Sequence, residues 1–242
     1  MYSDIIGILG GMGTYATIDF FHKLVAAFPA EKEWDRPRIV IDNNCTMPSR
    51  VVAVLEGGET RTRLSNELAK SIKGLINSGC TKIVLACNTS HVFLPDIFDL
   101  LSTTLNENPQ CEILNIIDNL GFYLQRKAVR TVYLLASEGT IISRIYQDTF
   151  EKYGIEVLTP ETETEFKQLR YFIEAVKQNK ITPIIIDEFV DFICSCNNSN
   201  IILGCTEFPI LYNYAVKYLE KSAINVYDPL EYIIKKIKEE II

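Results

Sequence analysis

The chain has 242 residues, of which 48% are hydrophobic and 23% are charged, and its formal net charge is −7. This length is enough for one large α/β domain or two small ones with a sizeable core. No block of Lys and Arg stands out, which argues against a nucleic-acid-binding surface, and the apolar runs are too short to span a membrane. We therefore expect neither nucleic acid nor membrane among its partners.

The numbers of cysteines and histidines indicate the redox compartment of the protein and whether a metal site is expected. The chain has seven cysteines and two histidines, and its first residues lack a basic segment ahead of an apolar run. An odd number of cysteines without a secretory leader predicts free thiols in a reducing cytoplasm. Cys194 and Cys196 are separated by one residue, which is closer than the usual spacing of zinc ligands, so we expect no metal site.

Apolar runs and amphipathic segments alternate through the first half. Leu64, Leu68, Ile72 and Leu75 recur at spacings of four, four and three, which is typical of one face of a helix. The predicted strands are residues 5–9, 38–41 and 82–86, and the predicted helices are residues 14–28, 59–78 and 95–101. Such an order is typical of strands joined by helices in a parallel sheet.

The same alternation restarts in the second half. Its predicted strands are residues 131–136, 155–158, 200–203 and 225–227, and its predicted helices are residues 120–127, 143–153, 166–177, 184–196, 207–218 and 229–238. The strands are rich in Ile, Val and Leu without polar alternation, which is typical of parallel sheets covered on both faces. The sequence therefore predicts an α/β fold with doubly wound parallel sheets.

Two short stretches, IVLACNT at residues 83–89 and IILGCT at residues 201–206, place a cysteine just after a predicted buried strand. Their similar positions predict two similar halves related by a pseudo-twofold axis. Ligands in such sheets bind outside the carboxyl ends of the strands, so we expect Cys87 and Cys205 to face each other across a cleft between the halves. The predicted division is residues 1–116 plus 222–242 for the first half and residues 117–221 for the second.

Cysteines at strand ends have a default interpretation and several functional ones. A free cysteine usually behaves as a small buried hydrophobe, but Cys87 and Cys205 form a matched pair, and each precedes a helix whose N-terminus favours a thiolate. Two opposed thiols could form a redox disulfide, although such pairs are usually close in sequence, or one could be a hydrolase nucleophile, which needs a histidine base. A third alternative uses both: one thiolate removes a proton from a carbon, and the other thiol returns one to the opposite face.

Four further features of the sequence have a structural interpretation, and most also have an interpretation as part of a ligand site. The GILGGMG loop at residues 7–13 lacks the spacing of a dinucleotide site, and is either a tight turn or a close backbone approach to a small anion. Arg50 is either a surface charge or a clamp for a carboxylate. Lys177 is by default an exposed charge at a helix end. His91 is either a satisfied helix-end histidine or a residue that tunes the Cys87 thiol.

With these segments collected, the chain resembles the PLP-independent aspartate/glutamate racemase superfamily, and within it the aspartate racemase branch. The glycine loop with Met12 carries the match to that branch and places Met12 among the expected substrate-binding residues. The matching segments extend from end to end of the sequence: G10-G-M-G-T-Y-A-T17, M47-P-S-R50, A86-C-N-T-S-H91, V176-K-Q-N-K-I181 and G204-C-T-E207.

The resemblance implies two similar α/β halves with the site between them, a homodimer and no cofactor. It implies that Cys87 and Cys205 are the two acid–base residues, one for each enantiomer of a small acidic amino acid. Arg50 would bind the side-chain carboxylate of the substrate, and Lys177 would be a further residue of the substrate site. Hydrogen bonds to the α-amino and α-carboxylate groups would come from Asn88, Thr89 and Thr206.

We therefore predict a cofactor-independent aspartate racemase that inverts Cα by a two-base thiol/thiolate mechanism. A glutamate or broad-specificity amino acid racemase of the same superfamily is the closest alternative, and Arg50 argues against an apolar substrate, which gives it no partner. A cysteine-dependent hydrolase or decarboxylase would need only one of the thiols. An amino-acid-binding module without turnover is the alternative outside the enzymes.

Overall fold

A computed structural model describes residues 2–220 and 222–241. Their strands are β1 (Ile5–Gly10), β2 (Arg38–Asn43), β3 (Lys82–Leu85), β4 (Glu112–Leu114), β5 (Thr131–Leu135), β6 (Glu156–Leu158), β7 (Asn200–Leu203) and β8 (Asn225–Tyr227). Their α-helices are α1 (Thr14–Ala27), α2 (Arg50–Glu56), α3 (Gly58–Asn77), α4 (Leu94–Leu100), α5 (Ser102–Glu107), α6 (Ile116–Arg126), α7 (Glu138–Ile142), α8 (Ile145–Glu151), α9 (Glu163–Lys177), α10 (Pro183–Ser195), α11 (Phe208–Leu219) and α12 (Pro229–Ile241). None of the helices in these ranges is long and apolar enough to cross a membrane.

The strands form two parallel four-stranded sheets that have the same strand order. The first sheet runs β2-β1-β3-β4 and the second runs β6-β5-β7-β8, and each of these neighbouring pairs is parallel. β1 and β3 are central in the first sheet, and β5 and β7 occupy the same places in the second. The prediction of two similar α/β halves with doubly wound parallel sheets is confirmed.

Both faces of the first sheet are covered by apolar side chains, as its uninterrupted apolar strands indicate. In β1, Ile6 and Ile8 belong to one buried cluster and Leu9 to another. The helical face predicted within residues 59–78 is buried in α3. Its members are at most 2% exposed: Leu64, Leu68, Ile72 and Leu75.

One of these clusters extends through both halves. It joins Phe20 of α1 and Leu120 of α6 to Val132 of β5 and Ile233 of α12. Burial of apolar surface is the main favourable contribution to folding, so this shared core holds the two sheets in a fixed relation. The carboxyl ends of the central strands of both sheets therefore meet in a common cleft.

The C-terminal segment differs from its prediction. The sequence predicts that residues 222–242 return to the first half, but β8 pairs with β7 and extends the second sheet. The physical reason is that β7 would otherwise present an unpaired edge, which β8 covers. The following helix, α12, packs against α6 and α1. Residues 1, 221 and 242, which are end points of the predicted halves, lie outside the described residues.

The second half also contains a break that the sequence does not signal. The predicted helix at 143–153 is replaced by α7 and α8, and between them Arg144 has a left-handed φ of 57°. That conformation interrupts a helix, and a residue other than glycine seldom adopts it. Three further elements have no signal in the sequence: α2, α5 and β4, which are seven, six and three residues long.

Candidate active site

The loops that follow the central strands of both sheets converge on a cavity of about 70 Å³. β1 leads into the glycine loop, β3 and β7 lead into the two cysteine motifs, and β5 leads into Ser137. All residues predicted for the site line this cavity: Met12, Arg50, Cys87, Asn88, Thr89, Lys177, Cys205 and Thr206. The lining also includes residues to which the sequence analysis assigns no role: Ser49, Val51, Ser137, Ile173, Gly204 and Glu207.

Cys87 and Cys205 occupy equivalent positions in the two halves. Cys87 lies two residues past the end of β3, and Cys205 lies two residues past the end of β7. Thr206 Oγ1 donates a hydrogen bond to Ala86 O (3.4 Å), which joins the ends of the two strands across the cleft. The structure therefore brings the two predicted thiols, both of them free, to one cavity.

Cys205 lies beside an acidic side chain. Its Sγ–H donates a hydrogen bond to Glu207 Oε2 at 2.9 Å. Burial and the neighbouring carboxylate raise the pKa of Cys205 well above its usual range, and the charge of Lys177 partly opposes this rise. Cys205 therefore holds its proton at neutral pH.

The contacts of His91 support its structural interpretation as a satisfied helix-end histidine. Its Nδ1 lies 3.0 Å from Cys87 O, and the Ile116 N–H donates to its Nε2 at 3.4 Å. Burial lowers the pKa of His91 to about 4, so the ring is neutral, with Nδ1 donating and Nε2 accepting. Both ring nitrogens are engaged with backbone groups, which leaves none to act on the thiol.

His91 should make the stability of the protein depend on pH. The unfolded chain binds a proton at this histidine below about pH 6.5, whereas the folded protein does so only near pH 4. We therefore expect this residue to lower the free energy of unfolding by about 1.4 kcal/mol per pH unit as the pH falls through that window. Urea unfolding of His91→Asn across the same window should lack this contribution.

The matched control is His22→Asn, which replaces the chain's other histidine at an exposed position on α1. Its unfolding free energy should follow the pH dependence of the wild type. Equal pH slopes for the wild type and His91→Asn would contradict the neutral, buried state assigned to His91.

Arg50 is held by two backbone carbonyls, and its Nε–H has no partner in the described part of the chain. Its Nη1 donates to Pro48 O (3.1 Å) and its Nη2 donates to Met12 O (2.9 Å). Its Nε is buried and has no hydrogen-bond partner among residues 2–220 and 222–241. A buried donor without a partner is costly, and a carboxylate bound in the cavity would satisfy it. Arg50 lines the cavity, and its role as a carboxylate clamp stays a prediction.

The glycine loop is a tight turn that also reaches the cavity. Gly11 has a φ of +82°, and a Cβ at this position would lie 2.3 Å from the carbonyl carbon of Asn44, so that only glycine fits. Beyond the turn, Met12 Sδ accepts a hydrogen bond from Ser90 Oγ at 3.1 Å. The turn therefore fixes Met12 against the loop that carries Cys87.

Lys177 has the exposure that its helix-end position indicates, and it also borders the cavity. It ends α9 and lines the cavity, and its Nζ lies 3.3 Å from Glu174 Oε1. Burial lowers the pKa of Lys177, but the charges of Glu207 and Glu174 help to raise it above the ordinary value. A protonated Lys177 therefore faces the cavity on the side of Cys205.

A buried tyrosine orients the amide of Asn88. Tyr146 OH donates to Asn88 Oδ1 at 2.6 Å, and both side chains are at most 2% exposed. Asn88 Nδ2 is buried without a partner in the described part of the chain, so its N–H groups are donors for a ligand. The neighbouring Thr89 Oγ1 lies 3.0 Å from Ser137 Oγ and 2.8 Å from Thr140 Oγ1, which forms a hydroxyl cluster across the halves.

Tyr146→Phe should weaken the interaction of Asn88 with a bound ligand, while the protein keeps its fold. The change leaves Asn88 Oδ1 unpaired, which costs about 1–3 kcal/mol, and frees the amide to rotate. Since about 1.4 kcal/mol corresponds to a factor of ten, we expect kcat/KM to fall by about tenfold in steady-state kinetics. Tyr153→Phe, which removes a hydroxyl bonded to Asp118 (2.8 Å) away from the cavity, is the matched control. An unchanged kcat/KM in Tyr146→Phe would rule out this role.

The cavity as a whole combines two thiols from opposite halves, two cationic side chains, and amide and hydroxyl donors. Cations and neutral donors of this kind bind carboxylate groups. Thiols on two sides of a bound molecule can exchange protons with it at two faces. The arrangement suits a small molecule that carries carboxylates and an acidic carbon between the thiols.

The sequence also matches a known family along nearly its whole length. The model of the Asp/Glu/Hydantoin racemase family matches residues 9–237, a range that contains both cysteine motifs and the whole lining of the cavity. The chain belongs to the Asp/Glu/Hydantoin racemase family. The superfamily predicted from the motifs is thereby confirmed, and an amino acid racemase is the enzyme class that this family supports.

Three relatives illustrate the range of substrates found among similar racemases. The broad specificity amino-acid racemase RacX of Bacillus subtilis (strain 168) is 27% identical over 238 residues, which cover 92% of this chain and 98% of the relative. The glutamate racemase of Lactobacillus acidophilus is 23% identical over 211 residues, which cover 86% of this chain and 73% of the relative. The structure of Picrophilus torridus aspartate racemase superposes with a TM-score of 0.76 at 27% identity, covering 98% of this chain and 95% of that one.

Proposed function

We propose that this racemase-family protein is a cofactor-independent aspartate racemase of the cytoplasm, where its thiols stay reduced. The observation that carries the proposal is that Cys87 and Cys205 line one small cavity from equivalent positions in the two halves. A thiolate on one face of the substrate Cα removes its proton, and the thiol on the other face supplies a new one. The stereocentre is inverted by general acid–base catalysis.

Positive charge and fixed donors in the cavity support an acidic substrate. The free Nε–H of Arg50 and the ammonium of Lys177 would bind the side-chain carboxylate. Asn88 Nδ2, with Thr89 and Thr206, would bind the α-carboxylate and the α-amino group. The Cα–H of an amino acid is a very weak acid, so donors already in place where negative charge develops are the main means of lowering the barrier.

A broad-specificity racemase is the second candidate, and an adjoining cavity favours it. That cavity encloses about 240 Å³. Five residues line both cavities: Ser49, Val51, Ser137, Ile173 and Lys177. Phe166 and Leu169 add apolar surface to the adjoining cavity, and a side chain longer than that of aspartate would contact it.

A cysteine-dependent hydrolase has less support. Its nucleophile needs a histidine base within hydrogen-bond reach, but His91 is engaged with backbone groups and His22 is exposed on α1. A binding module without turnover would use the same carboxylate-binding groups and would leave both thiols idle. Turnover is therefore the property that separates the proposed racemase from this alternative.

Circular dichroism of aspartate solutions tests the proposal. Purified protein with a reductant and no PLP is added to L-aspartate and, separately, to D-aspartate. We expect the signal of either enantiomer to decay to zero with equal kcat/KM, because the equilibrium constant between enantiomers is one. Parallel reactions with glutamate and methionine separate aspartate specificity from broad specificity. Binding of aspartate without any loss of signal would contradict the racemase and favour the binding module.

A further inference from the structure

Glu207 is the buried acidic residue beside the Cys205 thiol. It is the last residue of the second cysteine motif, precedes α11 and is 2% exposed. Its Oε2 accepts the hydrogen bond from Cys205 Sγ–H at 2.9 Å. Because burying a carboxylate is costly unless its surroundings compensate it, the placement of this side chain against a thiol of the site calls for a functional explanation.

The surroundings of Glu207 are shaped to its carboxylate. A Cβ at Gly13 would lie 2.3 Å from Glu207 Oε1, so the glycine loop leaves the space that this oxygen occupies. That oxygen is buried and has no hydrogen-bond partner among the described residues. Burial raises the pKa of Glu207, while the hydrogen bond from Cys205 and the charges of Lys177 on α9 and Arg50 on α2 oppose the rise. The pKa of Glu207 stays raised overall, so the two cations on neighbouring elements reduce the cost of burying its charge without cancelling it.

Inversion by two thiols requires that they hold one proton between them. With two protons, neither sulfur can accept the proton of the substrate, and with none, neither can supply one. A carboxylate beside one of the thiols disfavours a second negative charge there. The hydrogen bond from Cys205 Sγ to Glu207 Oε2 therefore places the shared proton on Cys205.

We propose that Glu207 is a positioning residue that holds this shared proton on Cys205, so that the enzyme begins a turnover with a thiol at Cys205 and a thiolate at Cys87. This inference rests on the proposed function. The Cα–H bond breaks and its proton passes to Cys87 Sγ, while the Cys205 S–H bond breaks and its proton passes to the opposite face of Cα. The electron pair of the broken Cα–H bond stays on carbon and forms the new bond, and one negative charge moves from Cys87 to Cys205, where Lys177 offsets it.

Glu207→Gln tests the inference through a readout that needs no turnover. The variant keeps the shape of the side chain and removes its charge. Alkylation of Cys205 by iodoacetamide is followed across pH by peptide mass spectrometry, since the thiolate is the reactive form. We expect the pH at which Cys205 reacts to fall by about one pH unit or more. The alkaline limb of the pH profile of kcat/KM for aspartate should move to lower pH by a similar amount.

The matched control is Glu163→Gln, which removes an exposed charge from the first turn of α9 and should leave the alkylation profile of Cys205 in place. A Cys205 profile that stays in place or moves to higher pH in Glu207→Gln overturns the inference, because Glu207 would then be neutral or would donate its proton to sulfur.

If Glu207→Gln does not fold, Glu207→Asp carries the test. That variant keeps the charge but withdraws it by one methylene group, so a smaller shift of the Cys205 profile to lower pH supports the inference and the absence of a shift overturns it. Failure of the aspartate racemase proposal can be distinguished from failure of this inference. In the first case the wild type does not turn over aspartate, while the alkylation profile of Cys205 still reports on Glu207.

Discussion

Replacing either Cys87 or Cys205 with alanine is expected to lower kcat/KM for aspartate racemisation by at least about 10³-fold. The two thiols stand at equivalent strand ends and line the same cavity, and in the proposed mechanism each serves one face of Cα, so neither can replace the other. Both directions of the reaction should fall equally, because the equilibrium constant between enantiomers is one. Chiral chromatography of the products from L-aspartate and D-aspartate measures this loss.

Cys194→Ala is the matched control, because Cys194 is an exposed free thiol on α10 and lies outside the cavity lining. It should racemise aspartate at the wild-type rate. Full activity in either Cys87→Ala or Cys205→Ala, with wild-type folding, would contradict a mechanism that uses both thiols.

Arg50→Gln should lower kcat/KM for aspartate by about 10²-fold, mainly through a higher KM. A hydrogen bond to a charged group contributes about 1.5–3 kcal/mol, and about 1.4 kcal/mol corresponds to a factor of ten. The free Nε of Arg50 is the donor placed to make that bond, and its other contacts hold the Met12 carbonyl and thereby the glycine loop. Steady-state kinetics with aspartate and with methionine separates the two effects, since only aspartate has a side-chain carboxylate to lose.

Arg36→Gln controls for the loss of an arginine that ties backbone carbonyls together. Arg36 Nη1 donates to Val25 O (3.1 Å) and to Phe28 O (2.6 Å) at the end of α1, outside the cavity lining. It should keep the wild-type KM for aspartate. An equal loss for aspartate and methionine in Arg50→Gln would show that the residue acts on the loop alone and not on the side-chain carboxylate.

The positions of the two thiols follow from the sequence because the signals are local. Each cysteine comes just after an uninterrupted apolar run, and in parallel sheets the carboxyl ends of such strands lie at one edge. The repeat of strand, cysteine and helix start then predicts two equivalent sites, and the shared strand order of the sheets agrees with it. Arg50 is predicted for a similar reason, since it follows the second strand closely.

Other parts of the site form only where residues that are distant in sequence come together, and no local sequence pattern predicts such contacts. Lys177 has the position of an exposed helix-end residue, and the resemblance alone placed it in the site. Glu207 stands in the second cysteine motif two residues from Cys205, but its approach to the space above Gly13 requires the loops of the two halves to meet. Tyr146 lies in no motif, and its link to Asn88 joins residues that are 58 positions apart.

The elements that escape prediction are short or break a rule of local structure. β4 has three residues, one of them Glu112, which gives too few apolar positions for a strand pattern. The break at Arg144 places a left-handed conformation at a residue other than glycine. The pairing of β8 with β7 is a choice between two sheet edges, which a sequence of three residues does not encode.

Hydrogen exchange at Cα is the measurement that tests most directly whether two thiols act on opposite faces of one carbon. Proton NMR would follow L-aspartate in D2O with purified protein, a reductant and no PLP, beside Cys87→Ala and Cys205→Ala. We predict that the Cα–H signal disappears as D-aspartate forms, that the D-aspartate carries deuterium at Cα because the thiols exchange with solvent, and that its formation requires both cysteines. D-aspartate that retains its Cα proton, or that still forms in either variant, would contradict the account.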